Sequence, residues 1–250
     1  MTDNEQRLFL LGDIHGDFRK LYRYIDTKVI ENSDVIQLGD MAIGFYLRLI
    51  GDPLTTIQDK QLMELNDALA GINCNFMAIR GNHCDGSYWI DPTKNQEFNK
   101  KFSNITLIPD YTTKEYFGKK FLLSGGGVSV DRHSRKVGVD YWEDEVVVSP
   151  RFPVGNHDIM LSHSCPSYFN HSPFQSHHSP TSDLMKWAHK NDPNLEEDLI
   201  TERQILDQVV SVSGVKEIYY GHFHNRQKEE HNGVTGRCLD IDELMEYTLS

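Results

Sequence analysis

The stretch Leu8-Phe9-Leu10-Leu11-Gly12-Asp13-Ile14-His15-Gly16 places a short polar motif directly after an apolar run. An apolar run of this length predicts a short buried strand, so the motif falls at the carboxyl end of that strand. The same arrangement recurs later in the chain, ahead of Gly39-Asp40, Gly81-Asn82-His83, Ser162-His163 and Gly221-His222-Phe223-His224. Because α/β sheets build their sites at strand carboxyl ends, the motifs together predict an α/β fold with one shared site.

The segments between the motifs agree with this fold class. Helical spacing of apolar residues at 17–31 and 55–69 alternates with the first three strands, which implies parallel strand pairs. Further along, the patterns predict a second sheet from strands at 106–108, 116–117, 120–124 and 158–161. They then predict a loop at 165–180, helices at 183–189 and 195–212, and a hairpin turn at Asn232-Gly233.

Composition limits the class of protein further. The net charge of −12 argues against a long nucleic-acid footprint, which needs clustered Lys and Arg. Four cysteines without C-x-x-C spacing predict free thiols in a reducing compartment. The first residues lack the apolar stretch of a signal peptide, and no run approaches the length of a membrane span. We therefore expect a cytoplasmic protein without membrane association.

The pooled motif side chains are those of a metal site. They are two Asp, one Asn and five His, a mixed oxygen and nitrogen set that suits divalent transition metals. In extended backbone, residues two apart point to the same side, so Asp13 with His15 and His222 with His224 can each face one site. Each motif alone has a plainer explanation, as a turn, a loop pair or a buried histidine. Their joint occurrence at strand ends favours metal binding.

The ordered set Asp-x-His, Gly-Asp, Gly-Asn-His, His and Gly-His-x-His resembles the calcineurin-like metallophosphoesterase superfamily over residues 12–224. Because the motifs span Asp13 to His224, we expect a single domain over 1–250, with a loop-plus-helix insertion at about 165–213. The resemblance implies a four-layer α/β/β/α sandwich of two mixed sheets. It also implies a dinuclear metal site at the strand carboxyl ends. In that site Asp13, His15 and His224 would hold one metal, and Asn82, His163 and His222 the other. Asp40 would bridge the two, and His83 would act as the catalytic proton donor to the leaving-group oxygen.

The implied activity is hydrolysis of a phosphate ester by a hydroxide that bridges the metals. Two cations about 3.5–4 Å apart can clamp a phosphoryl group, and they lower the pKa of bound water from 15.7 toward ~7. Mn²⁺ is the expected metal, while Fe and Zn²⁺ accept the same ligands. A non-catalytic metal-binding scaffold is the alternative from another class of protein, and the complete ligand set disfavours it.

Three arginines are candidates for holding the substrate. Arg80 precedes the third motif as in the protein serine/threonine phosphatase branch, where an arginine contacts phosphate, and a guanidinium pairs bidentately with phosphate oxygens. The chain departs from that branch at Cys84, where the branch has glutamate, and in the turn after Asp40, which lacks an arginine. Arg132 and Arg135 lie in a glycine-rich segment that resembles one in bacterial and viral members, although a solvated loop would explain it equally well.

We favour a phosphomonoesterase, including a protein phosphatase-like activity. The alternatives are a phosphodiesterase or a dinucleoside-polyphosphate hydrolase, because the metal motifs are common to all three. The expected partner is a phosphorylated small molecule, a nucleotide or a phosphoprotein. The oligomeric state is left open.

Overall fold

A computed structural model describes residues 7–45, 54–151, 154–169 and 190–249 of the chain. Its first sheet has five strands: β1 (Arg7–Leu11), β2 (Ser33–Gln37), β3 (Asn75–Ala78), β4 (Ile105–Leu107) and β11 (Leu244–Tyr247). Their order is β11-β1-β2-β3-β4, with β1 to β4 parallel and β11 antiparallel to β1. The three strands that precede the first three motifs therefore lie side by side and end at the same edge.

The second sheet has six strands: β5 (Thr112–Tyr116), β6 (Lys119–Ser124), β7 (Ile159–Ser162), β8 (Glu217–Tyr220), β9 (Gln227–His231) and β10 (Val234–Cys238). Their order is β5-β6-β7-β8-β10-β9, and the central strands β6, β7, β8 and β10 are parallel. The hairpin of β9 and β10 turns at Asn232 and Gly233, whose φ values of 50° and 75° are those a type I′ turn requires. Both sheets are mixed, as predicted.

Helices cover the outer faces of the two sheets. They are α1 (Arg19–Asp26), α2 (Leu54–Gly71), α3 (Ser87–Ile90), α4 (Pro92–Lys101) and α5 (Leu195–Ser213), with 3-10 turns at Arg132–Ser134 and Glu143–Glu145. Helix α1 is shorter than the predicted 17–31, because Lys28 adopts a left-handed conformation with φ 56°. Helix α5 ends at Gly214, whose φ of 70° is typical of a helix C-terminal cap.

Three apolar clusters separate the four layers. Alternate strand residues bury opposite faces, so Leu8 and Leu10 of β1 pack between the sheets with Phe121 and Leu123 of β6. Phe9 and Leu11 point the other way, toward the helical layer that contains α1, α2 and α4. On the far side of the second sheet, Met160 and Ile218 pack against α5 residues such as Leu206. The order is helices, sheet, sheet, helix, which is the predicted α/β/β/α sandwich.

One predicted strand belongs to the other sheet, and one predicted helix falls on residues that the structure does not describe. The strand predicted at 106–108 is β4, which joins the first sheet beside β3 rather than the second sheet. The segment 165–213 contains α5, but residues 170–189, with the predicted helix at 183–189, lie outside the described residues. The four cysteines are buried free thiols, as predicted. None of the described helices is both long and apolar enough to cross a membrane.

Candidate metal centre

The structure brings all seven predicted metal ligands to one place, at the carboxyl ends of five strands. From the first sheet, Asp13 and His15 follow β1, Asp40 follows β2 and Asn82 follows β3. From the second sheet, His163 directly follows β7, and His222 and His224 follow β8. The site therefore lies where the ends of the two sheets meet.

One group of donor atoms comes from Asp13, His15 and His224. His224 Nε2 lies 3.0 Å from Asp13 Oδ2 and 3.0 Å from His15 Nε2. Together with Asp40, these residues offer one donor atom each within 4.8 Å of one another. The cluster has the size and the Asp and His composition of a site for a divalent cation.

A second group comes from Asn82, His163 and His222. Asn82 Oδ1 lies 2.8 Å from His163 Nε2 and 2.9 Å from His222 Nδ1. His163 Nδ1 is 2.8 Å from the carbonyl oxygen of Leu38, which can only accept, so Nδ1 carries the hydrogen and Nε2 presents a lone pair in the neutral ring. Two lone pairs that face each other at this distance repel, and a cation beside them removes the repulsion.

Asp40 lies between the two groups. Its Oδ1 is 3.4 Å from His163 Nε2, and its Oδ2 is 3.7 Å from His15 Nδ1. Burial opposes ionisation of Asp40, but nearby His163, His83 and His15, with a hydrogen bond donated by the His83 backbone N–H, hold its pKa below the usual value. Asp40 is therefore an anion that faces both groups at neutral pH.

The residues present fit a bound cation. Buried His15 Nδ1 has no hydrogen-bond partner among the described residues, which is costly for a polar atom unless it binds something else. The pKa of His224 is affected first by burial, which lowers it, but the hydrogen bond and charge of Asp13 outweigh burial and raise it. The raised pKa means that the His224 ring holds its second proton to a higher pH than usual. Metal binding would displace that proton, because only the neutral ring is a ligand.

The backbone at the ligands is left-handed, not extended. His15, Asp40, His222 and His224 have φ values of 45°, 57°, 66° and 49°. The expectation that residues two apart converge through extended backbone is thus wrong, and tight turns aim them instead. Left-handed conformations are unfavourable for these residue types by about 1 kcal/mol or more each, and such strain clusters at functional sites.

Two glycines allow the ligand loops to approach each other. A Cβ at Gly81 would overlap the backbone nitrogen and Oδ1 of Asp40, and a Cβ at Gly221 would overlap Oδ1 of Asp13. Only glycine leaves room for a carboxylate at these points. The Gly-Asn-His and Gly-His motifs therefore position aspartates that come from other strands.

A cavity of ≈ 260 Å³ opens over the centre. Its lining includes Asp40, Asn82, His83 and Arg135. The Arg135 guanidinium lies there, with Nη2 2.8 Å from His83 Nε2 and an ion pair of 2.6 Å to Asp131. Of the three predicted substrate arginines, Arg135 is the one that lines the cavity.

His83 stands at the edge of the metal ligands, stacked on Phe45 with ring centroids 4.8 Å apart. Its pKa is lowered to about 4, chiefly by desolvation and also by the charges of Arg135 and His15, against the attraction of Asp40. Its ring is therefore neutral at pH 7, with Nε2 accepting from Arg135. The predicted role of His83 as proton donor therefore requires its pKa to rise when a substrate binds.

Arg80 and Arg132 lie elsewhere. The Arg80 side chain is 0% exposed and its guanidinium pairs with Asp110 at 2.7 Å. It also donates to the carbonyl oxygens of residues 144, 145 and 146, so it has no donor left for a phosphate. Arg132 pairs with Asp192 and Asp198 and joins the loop to α5. The expected phosphate contacts of both residues are not supported by these positions, and both arginines hold segments of the chain together.

Two buried residues lie behind the ligands that the sequence did not identify as site residues. Ser129 is 1% exposed and Glu145 is 0% exposed, and both are hydrogen-bonded next to Asn82. The glycine-rich run at 125–127 pointed toward this segment, but neither residue belongs to a motif. A buried glutamate could not be distinguished in sequence from its exposed neighbours.

The two-sheet sandwich and the Asp and His cluster at its strand ends are the features of a metal-dependent enzyme site, and the family match supports phosphoester hydrolysis as its general activity. A family model described as calcineurin-like phosphoesterase matches residues 6–226, and the chain belongs to that family. No curated protein matches the chain.

Two solved structures are similar over most of their length. A crystal structure of TT1561 of Thermus thermophilus is 8% identical, with a TM-score of 0.49, and the match covers 96% of this chain and 97% of that one. Phosphopantetheinyl hydrolase from Mycobacterium tuberculosis is 12% identical, with a TM-score of 0.40 and coverages of 96% and 91%.

Proposed function

We propose that the chain hydrolyses phosphate monoesters with two divalent cations that share Asp40. The observation that carries this proposal is the position of Asp40, whose two oxygens face the two donor groups at 3.4 and 3.7 Å. In this proposal Asp13, His15 and His224 hold one cation, and Asn82, His163 and His222 hold the other. When bound, the cations supply Lewis acidity, which offsets phosphoryl charge and acidifies water.

The proposed role of Arg135 is to bind the phosphoryl group. Its planar guanidinium suits phosphate oxygens, and it is the arginine in the cavity lining. A phosphate there competes with His83 for the Arg135 N–H that His83 Nε2 now accepts. With that N–H on the phosphate, His83 Nε2 can carry a proton toward the leaving-group oxygen, and the negative phosphate favours the charged ring.

The size and charge of the site support a monoester. Typical ligand pockets measure about 300–1,000 Å³, and the cavity over the centre is ≈ 260 Å³. A monoester dianion carries more charge than a diester for two cations and Arg135 to neutralise. The feature that linked the chain to protein phosphatases is a phosphate-contacting arginine at Arg80, and the burial of that side chain disfavours such a contact. A small phosphorylated molecule or nucleotide is therefore the proposed substrate, and Mn²⁺ the proposed metal in a cytoplasmic setting.

A substrate panel with matched variants tests the proposal. Protein loaded with Mn²⁺ is assayed on para-nitrophenyl phosphate, bis(para-nitrophenyl) phosphate, a phosphopeptide and a dinucleoside polyphosphate, with bound Mn counted by elemental analysis. We expect two Mn per chain and fastest turnover of the monoester.

Asp40→Asn should weaken the binding of both cations. His83→Ala should leave both cations bound and lower kcat by about 10²–10⁴-fold.

Different outcomes separate the alternatives. Faster turnover of the diester or dinucleotide would replace the monoester with that substrate class. Two bound cations without turnover on any probe would favour a metal-binding scaffold. Equal metal loss in the Asp40 and His83 variants would contradict the assigned roles.

A further inference from the structure

Ser129 connects a proposed metal ligand to the proposed phosphate-binding arginine. Its hydroxyl oxygen accepts from Asn82 Nδ2 at 2.9 Å and from Arg135 Nη1 at 2.9 Å. The same hydroxyl donates to Glu145 Oε2 at 2.8 Å, while the Ser129 backbone N–H donates to Glu145 Oε1 at 2.7 Å. Ser129 and Glu145 are fully buried, so water does not replace these bonds.

With Glu145 as an anion, the hydrogen bonds of this network have only one consistent direction. A serine hydroxyl has one hydrogen to donate and two lone pairs to accept with. Arg135 can only donate, and Glu145 holds the hydroxyl hydrogen, so the remaining lone pair of Ser129 faces Asn82. The Asn82 amide must then present its NH₂ to Ser129.

The orientation of this amide decides whether Asn82 can bind a cation. With its NH₂ on Ser129, its oxygen faces His163 Nε2 and His222 Nδ1 at 2.8 and 2.9 Å. The opposite orientation would direct an NH₂ group, which is not a metal ligand, into the site. Nothing among the atoms of Asn82 itself distinguishes the two orientations, because an amide is nearly symmetric in shape.

We propose that Ser129 and Glu145 are positioning residues that fix the Asn82 amide with its oxygen toward the second cation and tie that ligand to Arg135. This inference depends on the proposed two-cation function. Glu145 acts by accepting the Ser129 hydroxyl hydrogen, which leaves Ser129 only as an acceptor toward Asn82. Burial raises the pKa of Glu145 to about 8, although the hydrogen bonds from Ser129 and the positive charge of Arg135 oppose this shift. The positive charge of bound cations would lower the pKa further and favour the Glu145 anion on which this network depends.

Glu145→Gln and Ser129→Ala test the proposal through metal binding. In Glu145→Gln, an amide NH₂ facing Ser129 would leave the hydroxyl hydrogen without an acceptor, and Asn82 would turn its oxygen toward Ser129. Mn²⁺ is titrated into chelator-treated protein and followed by calorimetry and by electron paramagnetic resonance. We expect two Mn²⁺ sites in the unaltered protein, and one site weakened about 10–100-fold in each variant while the other is kept.

Ser33→Ala is the matched control. Ser33 is also buried and its hydroxyl also donates a hydrogen bond, to the carbonyl oxygen of Ile30 at 2.7 Å, but it begins β2 at the end remote from the ligands. Its loss should lower the urea midpoint of unfolding as much as Ser129→Ala does, with both Mn²⁺ sites unchanged. If Ser129 contributed only to stability, Ser129→Ala and Ser33→Ala would also bind Mn²⁺ equally well.

Asn82→Asp supplies a rescue that depends on orientation. A carboxylate presents oxygen whichever way it turns, so the added Asn82→Asp should restore the weakened Mn²⁺ site in Glu145→Gln by about tenfold or more, relative to its effect in the unaltered protein. Wild-type affinity at both sites in Glu145→Gln and Ser129→Ala, or equal weakening of both sites, would overturn the proposal. Failure of Asn82→Asp to restore the weakened site in Glu145→Gln would overturn the proposal as well. Failure of the unaltered protein to bind two Mn²⁺ would instead overturn the proposed function, and the positioning roles with it.

Discussion

Replacing Arg80 with methionine should lower the stability of the fold and leave substrate affinity nearly unchanged. All five N–H groups of its guanidinium are occupied. Nε and Nη2 donate to Asp110 Oδ2 at 3.2 and 2.7 Å, and the remaining donors reach the carbonyl oxygens of residues 144, 145 and 146. Asp110 in turn accepts from the Gly125 N–H at 2.9 Å, so Arg80 anchors both ends of the segment 125–146.

The size of the expected stability loss follows from the burial of the Arg80–Asp110 ion pair. The Arg80 side chain is 0% exposed and that of Asp110 is 12% exposed. Removing one partner of a buried ion pair costs about 3–5 kcal/mol, because the other charge stays buried without compensation. Domains of this kind are stable by about 5–15 kcal/mol, so Arg80→Met should remove a large share of the unfolding free energy. Arg80→Lys should recover part of the loss, since an ammonium has three donors rather than five.

Urea unfolding and steady-state kinetics together provide the assay, and Arg135→Met is the comparison. We expect a lower urea midpoint for Arg80→Met, with KM within about twofold of the unaltered protein below the transition. Arg135 lies in the cavity lining and its ion-pair partner Asp131 is 41% exposed, so its replacement should raise KM while lowering the urea midpoint less than Arg80→Met does. A normal midpoint with a strongly raised KM for Arg80→Met would refute the structural role and restore the phosphate contact expected from its motif.

Three further predictions address the ligand loops and the buried charges. Gly81→Ala should abolish binding of both cations and lower stability by about 1–3 kcal/mol, because the alanine Cβ would overlap Asp40. Two Mn per chain in this variant by elemental analysis would contradict the prediction. Burial raises the pKa of Glu202 from 4.5 to about 7, so the folded state keeps a proton that the unfolded state loses, and stability falls as pH rises between these values. In chelator-treated protein, Glu202→Gln should remove this loss of stability, which is on the order of 3 kcal/mol. Parallel pH profiles of unfolding for Glu202→Gln and the unaltered protein would contradict this prediction. Mn²⁺ at 100 times its Kd should stabilise the fold by about 2.7 kcal/mol per site, measured as a rise in Tm that chelator reverses, and an unchanged Tm would count against metal binding.

The strand ends were predictable because each is encoded locally. An apolar run followed by Gly-Asp or Gly-Asn-His carries its own strand and its own turn, and the family model agrees with that order of motifs. What local patterns could not give is the pairing of strands that are distant in sequence. Strand β4 has the same pattern as the strands of the second sheet, and only its hydrogen bonds to β3 place it in the first.

The same distinction explains the arginines and the residues behind the ligands. Arg80 has its motif beside the ligands, but its partners Asp110 and the carbonyls at 144–146 are 30 and 64–66 residues away. Its burial is thus a property of the folded chain. Ser129 and Glu145 were missed for that reason too, since a serine and a glutamate 16 residues apart have no recognisable spacing.

The ligand groups also show why the two sheets must pack in one register for the site to exist. Asp13 and His15 come from the first sheet and reach His224 of the second, while Asn82 of the first reaches His163 and His222 of the second. Neither sheet alone supplies three donors to both groups. A shift of one sheet against the other by a single residue, about 3.3 Å, would exceed the 2.8–3.0 Å separations across the interface. The apolar cluster of Leu8, Leu10, Phe121 and Leu123 therefore sets the metal centre as much as the ligands do, because it fixes the position of one sheet on the other.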